Sequence, residues 1–185
     1  MQYLTITNNP LPSDISNYKD LIYLTCSHCN ITSLNNLPTT LKVLDCQSNL
    51  LIELDNLPQS LKKLICNRNQ LSSLDNLPPA LEMLDCSYNN ISCLDYLPLS
   101  LEVLNCDNNS LSFLNNLPQS LNILNCSKNK IKRLDNLPPI LKALDCSNNL
   151  LMELVNLPPA LERLEYSNNN IQTNEFELNK FINMF

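Results

Sequence analysis

One period governs this chain. "LKVLDCQSNLLIELDNLPQS" begins at Leu41 and "LKKLICNRNQLSSLDNLPPA" at Leu61, and the same frame returns from Leu81, Leu101, Leu121 and Leu141 without an insertion. The block from Leu21 fits with one substitution. "LTITNNPL" from Leu4 supplies the first half of an opening unit, and "LERLEYSNNNI" from Leu161 the first half of a closing one. Nine units of the form LxxLxCxxNxLxxLxNLPxx therefore account for residues 1–174, and a short segment, 175–185, follows. A unit this small cannot bury its leucines alone; stacked on neighbours it closes a continuous core, which is the logic of a solenoid.

The spacing inside the unit supplies the geometry. Leu at the fourth place and Cys at the sixth lie two apart, so a short strand turns both to one face while its third and fifth residues turn to the other. One strand per unit predicts a parallel sheet of about nine short strands. The dozen residues that return to the next strand are too few for a helix and two turns. Pro38, Pro58, Pro78, Pro98, Pro118, Pro138 and Pro158 favour extended or polyproline backbone there, so the convex side is expected to hold little or no helix. The asparagine column Asn9, Asn49, Asn69, Asn89, Asn109, Asn129, Asn149 and Asn169 falls where each strand ends, and an amide both donates and accepts, so stacked copies predict a ladder of buried, paired asparagines. Cys29 takes that place in one unit.

Nine cysteines at first suggest a metal or redox framework. Seven of them, Cys26, Cys46, Cys66, Cys86, Cys106, Cys126 and Cys146, fall at the sixth place, which Ile6 and Tyr166 fill in the end units. A place that accepts Ile, Cys or Tyr is a core column, and a buried free thiol behaves as a small hydrophobe. The count is odd and no secretion signal precedes it, so reduced thiols are expected. "MQYLTITNNPLP" has no basic start or apolar run, and no membrane-length apolar stretch occurs, so a cytoplasmic protein without a membrane span is expected. The net charge of −6 disfavours nucleic acid as a general partner, and the absence of glycine removes Gly-rich phosphate loops.

The motif LxxLxCxxNxL resembles the leucine-rich repeat, and "NLPxxLxxLxCxxNxLxxL" resembles its shortest, twenty-residue class. Bacterial secreted effectors carry that class, and similar cysteine- and asparagine-rich units occur in proteins of giant DNA viruses. The resemblance implies a leucine-rich-repeat solenoid of the α/β horseshoe family, here mainly β, whose concave sheet binds another protein. Some such effectors carry a ubiquitin-ligase domain after the repeats, whereas only "NEFELNKFINMF" follows here, so the resemblance implies no ligase activity. Effectors of this kind tend to begin with a helical cap. Met1 stands almost inside the first strand, and the N-terminal edge is expected to be less protected, open to weak self-association of an otherwise monomeric chain. Phe176, Leu178, Phe181 and Phe185 form an amphipathic pattern that predicts a short helical cap on the last unit.

Candidate chemistry is sparse. "CSHC", Cys26 to Cys29, has metal-like spacing, but the frame puts Cys26 in the core, Cys29 in the turn column and His28 toward solvent, with no second ligand pair. Asp55, Asp75, Asp95 and Asp135 precede the NLP turn, where turn capping explains them better than calcium. No metal, cofactor or catalytic set is assigned, and the chain is not expected to be an enzyme. The expected function is binding of a partner protein. The third-place column, Tyr3, Tyr23, Val43, Lys63, Met83, Val103, Ile123, Ala143 and Arg163, puts an apolar stripe on the concave face. At the centre of that face Lys63, Ile65, Met83, Tyr88 and Val103 are expected to come from three successive strands about 4.8 Å apart, and this compact patch is the candidate protein-binding site. Lys42, Lys62, Lys63 and Arg68 form a basic cluster facing the acids Glu82, Asp85, Glu102 and Asp107. A secondary surface on the convex side comprises Cys93, Tyr96, Leu99 and Phe113, where Tyr96 replaces the usual Asn. The alternative is a structural or particle-associated protein that self-assembles through the N-terminal edge or this convex patch.

Overall fold

The computed structural model describes residues 2–6, 11–12 and 15–172. Nine three-residue strands lie in one parallel sheet in sequence order: β1 (Tyr3–Thr5), β2 (Tyr23–Thr25), β3 (Val43–Asp45), β4 (Lys63–Ile65), β5 (Met83–Asp85), β6 (Val103–Asn105), β7 (Ile123–Asn125), β8 (Ala143–Asp145) and β9 (Arg163–Glu165). Each residue pairs with the one twenty places on, as in Leu24 with Leu44 and Leu44 with Leu64. The expected parallel sheet with little helix is what the chain forms: a single 3-10 turn at Ile15–Asn17 is the helical structure among the described residues. The expected C-terminal cap and Asn9 lie outside the described residues.

Two faces of each coil are closed by leucine. In the third unit Leu41, Leu44, Leu51, Leu54 and Leu57 are buried with Cys46, and the same places are filled in every unit from the second to the eighth. All seven sixth-place cysteines are fully buried. A leucine such as Leu84 has neighbours above and below in the stack, and its replacement by alanine is expected to cost about 2–5 kcal/mol. Each proline carbonyl then closes the turn into the next strand, accepting the N–H three residues on, as Pro58 does from Leu61 at 3.0 Å.

Two corners of most coils use left-handed backbone, and the chain has no glycine to supply it. At the sixteenth place the residue is Asn36, Asn56, Asn76, Asn116, Asn136 or Asn156, with φ between 54° and 56°. Asparagine is the side chain that tolerates this region best after glycine. Tyr96 breaks that column, is outside the left-handed region, and projects with 82% of its surface exposed. At the eighth place, just past each strand, φ is also positive, from 50° at Lys128 to 58° at His28. Here His28, Ser48, Arg68, Tyr88 and Lys128 alternate with Asn108, Asn148 and Asn168. Ordinary side chains in this region cost about 1–2 kcal/mol.

Candidate protein-binding face

The sheet face away from the core is built by the third and fifth places. Val43, Lys63, Met83, Val103 and Ala143 are half-buried along it, and Tyr3, Tyr23, Ile123 and Arg163 are exposed. Tyr3 and Tyr23 stack nearly parallel with ring centroids 4.4 Å apart at the N-terminal end. Of the five central candidates, Lys63 and Ile65 lie on β4, Met83 on β5 and Val103 on β6, so neighbouring side chains repeat about every 4.8 Å across the face. Tyr88 does not stand on a strand as the pattern suggested. It lies three residues past β5, at φ 52°, and the Arg68 guanidinium sits 4.5 Å above its ring. A rim therefore runs beside the face, and Arg68 and Tyr88 stack along it.

The acidic half of this face is smaller than the sequence suggested. Asp85 accepts the Ser87 N–H at 3.1 Å and the Ser87 hydroxyl at 2.7 Å, and Asp145 holds Ser147 in the same way. These carboxylates cap their own turns, as short acidic side chains do. Asp107 is buried at the seventh place, as are Ser27, Ser87, Ser127 and Ser147 in their units, and its burial pushes its carboxyl above the usual range against the pull of Lys128. Glu82 pairs with Lys62 across the boundary between the two halves. Lys42, Lys63 and Arg68 have no carboxylate partner among the described residues.

The asparagine ladder fixes the edge of the face. Asn89 Nδ2 donates to the carbonyls of Cys66, Cys86 and Ser87 at 3.0–3.2 Å, and its Oδ1 accepts the Leu71 N–H at 2.9 Å. Asn49, Asn69, Asn109, Asn129, Asn149 and Asn169 repeat the arrangement. A second ladder escaped the sequence reading. The hydroxyls of Thr40, Ser60, Ser100 and Ser120, at the twentieth place, each lie 2.7–3.0 Å from two carbonyls of the preceding junction. A hydroxyl has one proton, so it is shared between them.

The other candidates separate cleanly. Cys26 is buried, Cys29 is half-buried with its one S–H shared between the carbonyls of Ile6 and Ser27, and His28 is exposed, so the "CSHC" side chains diverge. No cluster of three or more His, Cys, Asp or Glu side chains suited to a metal ion occurs among the described residues. Burial pushes the Cys26 and Cys146 thiols up to about 12, and the five between them are raised for the same reason. A thiol held neutral is neither a nucleophile nor a ready ligand. On the convex side Tyr96, Leu99 and Phe113 are exposed, while Cys93, expected in solvent, is half-buried, as are Ser73 and Glu153 at the same place. No helix among the described residues is long and apolar enough to cross a membrane.

The sequential parallel sheet, the asparagine ladder and the NLP turn define a leucine-rich-repeat solenoid of the short, twenty-residue class. Among solved structures it is similar to YopM, a leucine-rich effector protein from Yersinia pestis, at 38% identity over 85% of this chain with a TM-score of 0.82. A Shigella effector leucine-rich-repeat domain matches at 34% identity over 78% of the chain, TM-score 0.54. The functional domain of InlJ from Listeria monocytogenes, which includes a cysteine ladder, matches at 26% identity over 95%, TM-score 0.77. The chain spans about half the length of these proteins: 45%, 57% and 46% of the three. No protein-family model and no curated protein matches it.

Proposed function

We propose that this solenoid is a non-catalytic module that binds a partner protein on its concave face, over Lys63, Ile65, Met83, Tyr88 and Val103. One observation carries the reading. Met83 and Val103 sit on adjacent strands with their side chains turned away from the leucine core, where folding does not require an apolar residue. A partner that covers them gains the burial that the core does not use, and the unpaired cations beside them set its orientation. The solved relatives supply context, since two of them are effector proteins by description. Seven neutral buried thiols suit a reducing compartment such as a cytoplasm, the host's if the protein is delivered as an effector.

The test compares two double variants. Changing Met83 and Val103 to Asp leaves the core intact and is expected to weaken a purified partner by an order of magnitude or more, each anchor being worth more than ~1 kcal/mol. Changing Tyr96 and Phe113 to Ser on the convex side is expected to matter less. Loss of binding only in the convex variant moves the site to the opposite surface. The alternative, self-assembly through the N-terminal edge or the convex patch, is favoured by one observation: β1 ends the sheet, and its Tyr3 is 64% exposed. Sedimentation that is independent of concentration rejects that alternative.

A further inference from the structure

Because every unit solves the same folding problem, each column shows which residue the fold prefers, and departures from it can be located. At the convex left-handed corner all six left-handed residues are asparagine; at the rim corner only three of eight are. Two adjacent departures, Arg68 and Tyr88, are bulky side chains held at φ 56° and 52°. The fifth place shows a third. In the third unit and the fifth to ninth, its side-chain oxygen accepts the N–H two residues on: Asp45 from Gln47, Asp85 from Ser87, Asn105 from Asp107, Asn125 from Ser127, Asp145 from Ser147 and Glu165 from Ser167. Ile65 cannot accept, and in that same unit the Asn67 Oδ1 is buried without a partner. Three choices that weaken the fold therefore meet on two neighbouring coils, beside Lys63 and Met83. The rim column departs from asparagine at His28, Ser48 and Lys128 too, but here two bulky departures coincide with Ile65 and the unpartnered Asn67 Oδ1, and stability surrendered at such a convergence marks a place shaped by binding.

The chemistry of the place narrows the ligand. The Arg68 guanidinium carbon sits 4.5 Å over the Tyr88 ring, and a guanidinium is a planar fork of N–H donors that matches a carboxylate. No carboxylate of the described residues takes it, since Asp85 is committed to Ser87, Asp107 is buried and Glu82 pairs with Lys62. Ile65 and Met83 offer apolar surface across from it. We propose that Arg68, braced on Tyr88, is the recognition point for an Asp or Glu side chain in a partner protein, whose neighbouring apolar residue packs on Ile65 and Met83. The proposal deepens the concave-face reading and rests on it.

The experiment pans a display library of random twelve-residue peptides over the full chain, synthesises the enriched peptides, and measures their affinity by fluorescence anisotropy. Enriched sequences are expected to place Asp or Glu beside an apolar residue, and changing that acid to its amide is expected to weaken binding at least tenfold. R68N and Y88N put the residue preferred at a left-handed corner into the rim. Both are expected to melt at higher temperature than the parent yet to lose at least tenfold in affinity for the acidic peptide, with R68N no longer distinguishing acid from amide. R68K, which keeps the charge but not the fork, is expected to lose most of the discrimination. Enrichment without an acidic residue, no enrichment at all, or undiminished binding by R68N overturns the carboxylate assignment. Loss of those same peptides in the Met83 and Val103 double variant would then leave the concave-face reading standing, and unchanged binding there would remove both.

Discussion

Two rungs of the asparagine ladder hold different numbers of groups, and replacing each by alanine measures the difference. Asn89→Ala takes an acceptor from the Leu71 N–H, which has no other among the described residues. The three carbonyls that lose the Asn89 amide each keep a second donor: Asn69 Nδ2 on Cys66, Asn109 Nδ2 on Cys86 and the Arg68 N–H on Ser87. One stranded buried donor costs about 1–3 kcal/mol. Asn49 carries more because Cys29 stands where the second unit would have its own asparagine. Asn49 Oδ1 accepts from both the Cys29 and Ile31 N–H, at 3.0 and 3.1 Å, and Nδ2 donates to the Cys26 carbonyl at 2.8 Å, which has no other donor among the described residues. Asn49→Ala strands these three groups against one, so its cost is expected to be about three times that of Asn89→Ala, roughly 3–9 kcal/mol. That is a large part of the ~5–15 kcal/mol that holds a typical domain folded. Urea unfolding of both variants, followed by circular dichroism, gives the ratio, and native-state hydrogen exchange gives the address. Leu71 is expected to exchange faster in Asn89→Ala, and Cys29 and Ile31 in Asn49→Ala. Equal midpoints, or an unchanged Leu71 amide, would refute this account of the ladder.

Alkali offers a second test. Burial raises the seven core thiols above their ordinary value of 9.0, so unfolded chains release protons above that pH while folded ones do not, and stability is full below pH 9 and falls as pH rises beyond it. Seven such thiols together are expected to cost on the order of 10 kcal/mol by one pH unit above 9, comparable to the whole stability of a typical domain; a urea midpoint unchanged from pH 8 to 10 contradicts it. A bulky maleimide at neutral pH is expected to label Cys93 first, Cys29 slowly and the sixth-place column only after denaturation, and rapid native labelling of Cys66 or Cys106 would show the strand faces reversed. Ala80 occupies the twentieth place without a hydroxyl, within reach of the Gln59 and Leu61 carbonyls if the neighbouring pattern continues. Ala80→Ser is expected to add about 0.5–1.5 kcal/mol, and a lower melting temperature would argue against the hydroxyl ladder.

The period, the leucine columns and the asparagine ladder were legible before any coordinates because each sets one residue type at one place in nearly every unit. The hydroxyl ladder was not, since Ala80, Ile140 and Ala160 interrupt it and a serine next to a proline turn looks like ordinary surface. The rim was hidden for a different reason. Left-handed backbone is usually announced by glycine or asparagine, and His28, Ser48, Arg68 and Tyr88 announce nothing. Tyr88 therefore reads as a strand residue, whereas it lies three residues past β5 in left-handed backbone. Asp85 and Asp107 show the limit of reading contacts from sequence: one holds its own turn and the other is buried, so neither is as free to pair with a partner's cation as its letter suggests.

The side chains of both ladders reach backwards. Asn69 accepts from Leu51 and Asn129 from Leu111, and Ser100 donates toward the junction at Pro79 and Leu81. Ribosomes work in the opposite direction. A unit that has left the exit tunnel with its leucines complete still lacks the amide that closes its loop, and must wait until about twenty further residues have been added, on the order of one to four seconds at ordinary elongation rates. Folding therefore trails translation behind a moving front, with one unfinished coil at the growing end. A ribosome stalled within any repeat holds the chain in the same half-closed state, where the newest exposed leucines are the surface that a chaperone meets.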